Sequence, residues 1–265
     1  MIKFCSLYSG SSGNAIFLAA DKAKILIDAG LSGKKIGEAL ISIDENPSSL
    51  SAILVSHEHS DHIKGIGVLS RRYNLPVYAN EMTWNSMDSS IGNISPENVK
   101  FFKTGTMFEI CGLGIKSFPI PHDASEPVGF NFYSGRRKIT VATDIGHVDT
   151  DLVSYMEGSD LLLLEANHDT EMLKIGPYPQ WLKVRILGEN GHLSNETAGD
   201  VITTIAEKGT RNFLLGHLSR ENNFPELAYQ TVYNALLQKN IYVGKDVTLG
   251  VVRRDRVGRV IRING

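Results

Sequence analysis

The feature that most constrains this chain is the run Ser56-His57-Glu58-His59-Ser60-Asp61-His62, set between the apolar stretch Ala52-Ile53-Leu54-Val55 and Ile63-Lys64-Gly65-Ile66. A short β-branched run reads as a buried strand, and Ile63, Ile66 and Leu69, about a turn apart, read as a helix. The histidines and the aspartate therefore sit on a loop at a strand's C-terminal end, where open α/β sheets place their chemistry. His57 and His59, two apart on extended chain, point the same way and can grip one ion. The adjacent Asp61-His62 pair turns toward a second point. Imidazole nitrogen with carboxylate oxygen suits zinc, manganese, iron or nickel, and the lack of cysteine in the cluster argues against a closed structural zinc site.

With 265 residues the chain is long enough for one large domain with a sizeable core, or at most two small ones. Its formal net charge of -2 gives no bulk attraction to nucleic acid, so any phosphate-binding surface must be local. Cys5 and Cys111 make no disulfide framework; both lie in apolar strand-like runs and read as buried small hydrophobes. The opening Met1-Ile2-Lys3-Phe4-Cys5-Ser6 has no basic segment followed by a long apolar one, and no run approaches the roughly 18 apolar residues of a membrane span. The expectation is a soluble, cytoplasmic protein.

Strands are expected at residues 2–8, 15–20 and 24–28. The first two are joined by Ser9-Gly10-Ser11-Ser12-Gly13-Asn14, which reads as a plain hairpin connection or as a nest of backbone amides able to hold an anion. An amphipathic helix over 31–43, with Ser32 as its cap, turns Ile36, Leu40 and Ile43 inward. Helices at 63–73 and 81–90 flank a strand at 76–79. Strands near 101, 107–111 and 114–120 lead to Pro119-Ile120-Pro121-His122-Asp123, where His122 taken alone is either loop filling or a ligand. A hairpin of 128–133 and 138–142 runs on to Asp144, and the apolar strand 161–165 ends in Glu165. An excursion over 172–191, partly helical at 180–186, is expected to cover the mouth of the site. Gly191-His192-Leu193-Ser194 opens a helix that Gly209 ends, and Phe213-Leu214-Leu215-Gly216-His217 is a strand ending in histidine. After a helix at 225–239, strands at 247–253 and 257–263 read as a closing hairpin. It carries Arg253, Arg254, Arg256, Arg259 and Arg262 against Asp255, either as edge-strand solubility charge or as a phosphate-binding surface. No linker, repeat or low-complexity tract interrupts residues 1–265, so one domain is expected.

The His-x-His-x-Asp-His pattern after a buried strand resembles the signature of the metallo-β-lactamase-fold hydrolases, and five of the eight histidines fall on that family's ligand positions in order. The resemblance implies an α/β fold, a single-domain four-layer αββα sandwich with a two-metal cleft along one edge. It implies that His57, His59 and His122 hold one ion, that Asp61, His62 and His217 hold the other, and that Asp144 bridges them. Asp28, which ends Ile25-Leu26-Ile27, is implied to orient a ligand histidine by accepting its free N–H.

The superfamily cleaves β-lactams, thioesters and phosphodiesters and hosts redox chemistry, so fold alone does not choose. Two details favour phosphodiesters. The Asp61-His62 pair is complete, and Glu165 with Gly191-His192-Leu193-Ser194-Asn195-Glu196-Thr197-Ala198 resembles a stretch of the tRNA 3′-processing endonucleases in which that histidine assists cleavage, although Leu193 departs from it. Together with Glu165-Ala166-Asn167-His168-Asp169, Gly216-His217-Leu218-Ser219-Arg220-Glu221-Asn222 and Ser9-Gly10-Ser11-Ser12-Gly13-Asn14, a segment implied to border the active site, the chain most resembles the compact bacterial WalJ/YycJ-type exonuclease branch. This implies a dinuclear phosphodiesterase with zinc or manganese, iron or nickel also being accepted, and DNA rather than RNA as substrate, with no membrane partner and no implied oligomeric state. A hydroxide between the ions would attack, Asp61 would steady it, and His192, oriented by Glu165, would protonate the departing oxygen. His168 reads as a weaker phosphate contact or a structural hydrogen-bonder, and His147 as structural or exposed. The alternatives are a small-molecule hydrolase acting on a cyclic phosphodiester or thioester, and a partner-binding protein that keeps metal only for structure.

Overall fold

The four leucines at 161–164 show how the layers are assembled. Successive strand side chains point to opposite faces, so Leu161 and Leu163 enter one core while Leu162 and Leu164 enter another. Ala52 and Leu54 separate from Ile53 and Val55 in the same way. Burial on both faces is why these strands are continuous apolar runs without alternation. Four buried leucines at about 1.5–3 kcal/mol each amount to roughly the net stability of a whole domain. The strand can therefore carry a buried carboxylate, Glu165, at its end.

The computed structural model describes residues 1–264; Gly265, the last residue of the expected domain, lies outside the described residues. The first half runs β1 (Ile2–Tyr8), β2 (Ala15–Ala20), β3 (Ala23–Ile27), α1 (Gly33–Ile41), β4 (Ala52–Leu54), α2 (Ser60–Ile63), α3 (Ile66–Tyr73), β5 (Val77–Ala79), α4 (Glu81–Ile91) and β6 (Val99–Phe101). The second half runs β7 (Met107–Ile110), β8 (Leu113–Pro119), β9 (Val128–Ser134), β10 (Arg137–Ala142), α5 (Thr150–Met156), β11 (Leu161–Glu165), α6 (Thr170–Ile175), α7 (Gln180–Leu187), α8 (Asn195–Glu207), β12 (Asn212–Gly216), α9 (Pro225–Gln238), β13 (Thr248–Val251) and β14 (Ile261–Ile263).

Among the described residues these strands form two seven-stranded sheets, ordered β14-β1-β2-β3-β4-β5-β6 and β13-β12-β11-β10-β9-β8-β7. One core lies between the sheets, a second between the first sheet and α1, α3 and α4, and a third between the second sheet and α5, α8 and α9. The layers are thus α, β, β, α, as expected. Strands β3 to β6 are mutually parallel, as are β10 to β13. Their C-terminal ends deliver the loops that carry the candidate site.

Three expectations need correction, and two helices are unforeseen. Residues 247–263 are no hairpin: β13 pairs with β12 in one sheet and β14 with β1 in the other, so the segment between them crosses from sheet to sheet. Cys111 is exposed, because Cys111 and Gly112 form a two-residue turn with φ of 50° and 87° that directs the thiol outward. The helix expected at 63–73 is broken into α2 and α3 at Lys64-Gly65, where Gly65 lies against the Leu31 carbonyl too closely for a side chain. Helices α5 and α6, seven and six residues long, are too short to show a helical period in the sequence; each is started by an aspartate, Asp149 or Asp169, accepting a backbone N–H of its first turn.

Candidate metal centre

Three strand-end residues set the geometry. Asp28 after β3, Asp144 after β10 and His217 after β12 all have left-handed backbone, with φ of 58°, 61° and 54°. Such a conformation is costly for residues other than glycine, and where it persists the surroundings enforce it. Here it turns each chain sharply at the sheet edge. The loop between β3 and α1 backs the histidine run so closely that a Cβ on Gly30 would fall 1.6 Å from the Asp61 carbonyl oxygen. Glycine is required there by contact.

His57, His59 and His122 bring ring nitrogens within 4.8 Å of one another, and so do the donor atoms of Asp61, His62 and His217. Asp144 stands between the groups, with Oδ2 3.4 Å from His62 Nε2 and Oδ1 3.9 Å from His122 Nε2. All seven residues singled out as ligands from the sequence therefore converge. Three of their buried atoms, His122 Nε2, His217 Nε2 and Asp144 Oδ2, have no hydrogen-bond partner among the described residues. An unpaired buried polar atom is costly, and nitrogen and carboxylate donors aimed at common points are what a divalent cation satisfies. The donor set fits metal.

The opposite edges of four of the five rings, all but His59, are held. A carboxylate can only accept, so His62 donates Nδ1–H to Asp28 Oδ2 at 2.8 Å and His217 donates Nδ1–H to Glu165 Oε1 at 2.8 Å. The His122 Nδ1–H goes to the Gly191 carbonyl at 3.1 Å. Ser56 donates Oγ–H to Asp28 Oδ2 at 2.8 Å and accepts from His57 Nδ1 at 3.0 Å. Each bond places the hydrogen on Nδ1 and leaves the Nε2 lone pair for the centre. His192, also bound through Nδ1 to Glu165 Oε1 at 2.8 Å, keeps its other nitrogen free, and its side chain is 19% exposed.

The charges follow from this packing. Burial pushes the Asp61 and Glu165 carboxyls up, but the adjacent imidazoles outweigh it and hold both well below the usual carboxylate range. Burial pulls His62 down, yet Asp144, Asp28 and Asp61 raise it to about 9. Without a cation a proton is thus held among these acids, and Asn14 Nδ2, 3.0 Å from His62 Nε2, meets a lone pair only once that proton has gone. His57, desolvated and surrounded by other imidazoles, is driven well below its ordinary value.

Beside His192 lies a cavity of about 190 Å³ lined by Ser11, Asp123, Tyr178, Arg185 and Ser219. Helix α7 supplies Arg185, which donates to Asp123, while Trp181 and Val184 stand exposed on it. His168 is 1% exposed and neither ring nitrogen has a partner, so it makes no side-chain hydrogen bond among the described residues; burial lowers it to about 4. His147 is exposed and bonds to the Glu189 carbonyl at 2.9 Å. The sequence reading misses Ser56 and takes Ser9 and Asn14 only as the ends of a loop implied to border the site; Ser9 Oγ accepts the His217 N–H at 2.9 Å. The one available signal is adjacency: Ser56 precedes the first ligand, and Ser9 and Asn14 close the small-residue loop.

This sandwich, with histidines and acids gathered at one sheet edge, defines a metallo-hydrolase architecture. Residues 23–218 match the profile described as the Beta-lactamase superfamily domain, and the chain belongs to that superfamily. It is 42% identical over 244 residues to the exodeoxyribonuclease YycJ of Bacillus anthracis, covering 92% of each chain. It is 43% identical over 246 residues to the exodeoxyribonuclease WalJ of Streptococcus pneumoniae, covering 92% of this chain and 91% of that one. Among solved structures, the metallo-β-lactamase fold protein YhfI from Bacillus subtilis superposes with a TM-score of 0.70 at 15% identity, over 98% of this chain and all of that one. That likeness is one of fold. No helix of the described residues is long and apolar enough to cross a membrane.

Proposed function

We propose that this chain is a cytoplasmic, metal-dependent DNA exonuclease. The observation that carries the proposal is the convergence of two donor groups whose buried atoms include three that no described residue satisfies, beside a histidine held by a carboxylate. The names of relatives similar over nine-tenths of the chain direct that chemistry to DNA. His57, His59 and His122 would hold one ion, Asp61, His62 and His217 the second, and Asp144 would be shared. Zinc and manganese suit these donors, as do iron and nickel. When bound, two such ions supply Lewis acidity toward the phosphodiester and an activated water.

The remaining steps belong to side chains. Asp61, a quarter exposed, faces the cleft and accepts a hydrogen bond from the attacking water. Glu165 holds His192 by Nδ1, so the far nitrogen presents its proton to the departing oxygen. Burial opposes charge on His192, but Glu165 and then Asp144 raise its pKa and favour the protonated form.

The test is hydrolysis of end-labelled single- and double-stranded DNA and RNA, bis(p-nitrophenyl) phosphate and a thioester, each with manganese, zinc or chelator. Metal-dependent release of nucleotides from DNA ends is expected. Turnover confined to the small esters would instead establish the small-molecule hydrolase reading. His192→Ala should keep its metal and lose about 10²–10⁴-fold in turnover; loss of metal would make His192 a ligand.

A further inference from the structure

Strands β12 and β13 are parallel neighbours, with Leu215 opposite Val251, so both end on the catalytic edge. Where β12 delivers His217, β13 delivers Arg253 and Arg254. Arg254 lies back along this edge: its Nη1 donates to the Ser219 carbonyl at 3.2 Å, and its Cγ lies 2.6 Å from where a Cβ on Gly10 would stand. Ser219 also lines the cavity beside His192. The crossing segment then leads away from the centre. Val257 and Val260 pack onto the core under β1, and the Gly258 N–H donates to the Ser6 carbonyl at 2.9 Å. With the valines committed inward, Arg256 and Arg259 are left exposed.

Arg253, Arg256 and Arg259 line one groove of about 580 Å³ between the two sheet edges, with Phe4, Leu214 and Ile261 beneath them. Among the described residues, arginine ion pairs are made by Arg137, Arg185 and Arg220, and by none of the five arginines at 253–262. A chain with a formal net charge of -2 thus gathers uncompensated guanidinium groups in one place, starting next to the candidate metal centre. Planar forked donors match phosphate oxygens, and a run of phosphates is the polyanion that could reach both the centre and this groove at once.

We propose that this groove binds the sugar-phosphate backbone of a DNA strand whose end lies at the metal centre. The inference rests on the exonuclease reading and adds where the body of the substrate is held. Arg253, Arg256 and Arg259 are positioning residues for the polymer and do not touch the reacting atoms.

The test uses the metal-loaded protein for turnover and chelated protein for binding of a labelled DNA duplex across a salt series. In the triple variant Arg253→Gln, Arg256→Gln, Arg259→Gln, bis(p-nitrophenyl) phosphate turnover should be unchanged. Duplex affinity should fall at least about tenfold, and the slope of log affinity against log salt should flatten by about 2.7, that is about 0.9 for each lost phosphate contact. The KM for DNA should rise with kcat preserved, and the corresponding triple Lys variant should recover most of the slope. An unchanged slope and affinity would overturn the proposal and leave the arginines as edge-strand protection. If the triple variant melts early, Arg259→Gln alone decides, with a slope change of about 0.9 expected and none overturning the proposal. Wild-type protein that hydrolyses no DNA would refute the exonuclease reading, whatever the groove variants do.

Discussion

Replacing Glu165 by glutamine tests the logic of the centre most directly. Glu165 is fully buried, and its two oxygens take four donors. Oε2 accepts the backbone N–H of Ile145 at 2.7 Å and of Leu193 at 3.3 Å; Oε1 accepts Nδ1–H from His192 and from His217. Backbone donors cannot reverse, so Glu165→Gln must keep its carbonyl oxygen toward them and turn its NH₂ toward the imidazoles. Each ring must then accept at Nδ1 and move its hydrogen to Nε2. For His217 this protonates the nitrogen that has no partner among the described residues. Two charge-assisted hydrogen bonds of about 1.5–3 kcal/mol are replaced by two neutral ones of about 0.5–1.5 kcal/mol, a net loss of about 2–3 kcal/mol. Metal affinity should fall about 10–100-fold, the usual effect of losing an orienting carboxylate. Denaturant unfolding in chelator reads the first quantity and calorimetric titration with manganese reads the second, with one tight site retained and one weakened. Two sites of wild-type affinity in the variant would refute the tautomer argument.

Two further outcomes follow from the strand ends and the buried charges. Asp144→Asn should fold normally, since asparagine tolerates the left-handed backbone at φ 61°, yet elemental analysis should find less metal because the shared carboxylate is gone; Asp144→Val should fail to fold. In chelated protein, His62 titrates near 9 in the folded state against about 6.5 unfolded. Its stabilising charge is complete below about 6.5 and lost as pH rises through 9, so the metal-free melting temperature should fall across that window. Saturating metal, which displaces the proton, should flatten the decline, and a flat metal-free profile would contradict the assignment.

The centre was legible because its chemistry sits in residues of rare type at strand ends, and strand ends are marked by apolar runs such as Leu161-Leu162-Leu163-Leu164. The supports were less legible. Ser56, Asn14 and Ser9 are common polar residues whose roles arise only when loops distant in sequence meet, as Ser9 meets His217. The false hairpin at 247–263 has the same origin: two short strands close in sequence look like partners, and only the positions of β1 and β12 show that each belongs elsewhere. Cys111 was misread because hydrophobic pattern alone does not reveal a turn that needs positive φ.

The pairing of β14 with β1 joins residues 261–263 to residues 2–4. During synthesis β1 emerges before every other element described, and its outer partner β14 after all of them. One border of the first sheet therefore stays open while the histidine loop and both layers of helices are already available to form. This border closes only once β14 has been made, and the arginine-bearing segment that leads into it takes its place at that moment.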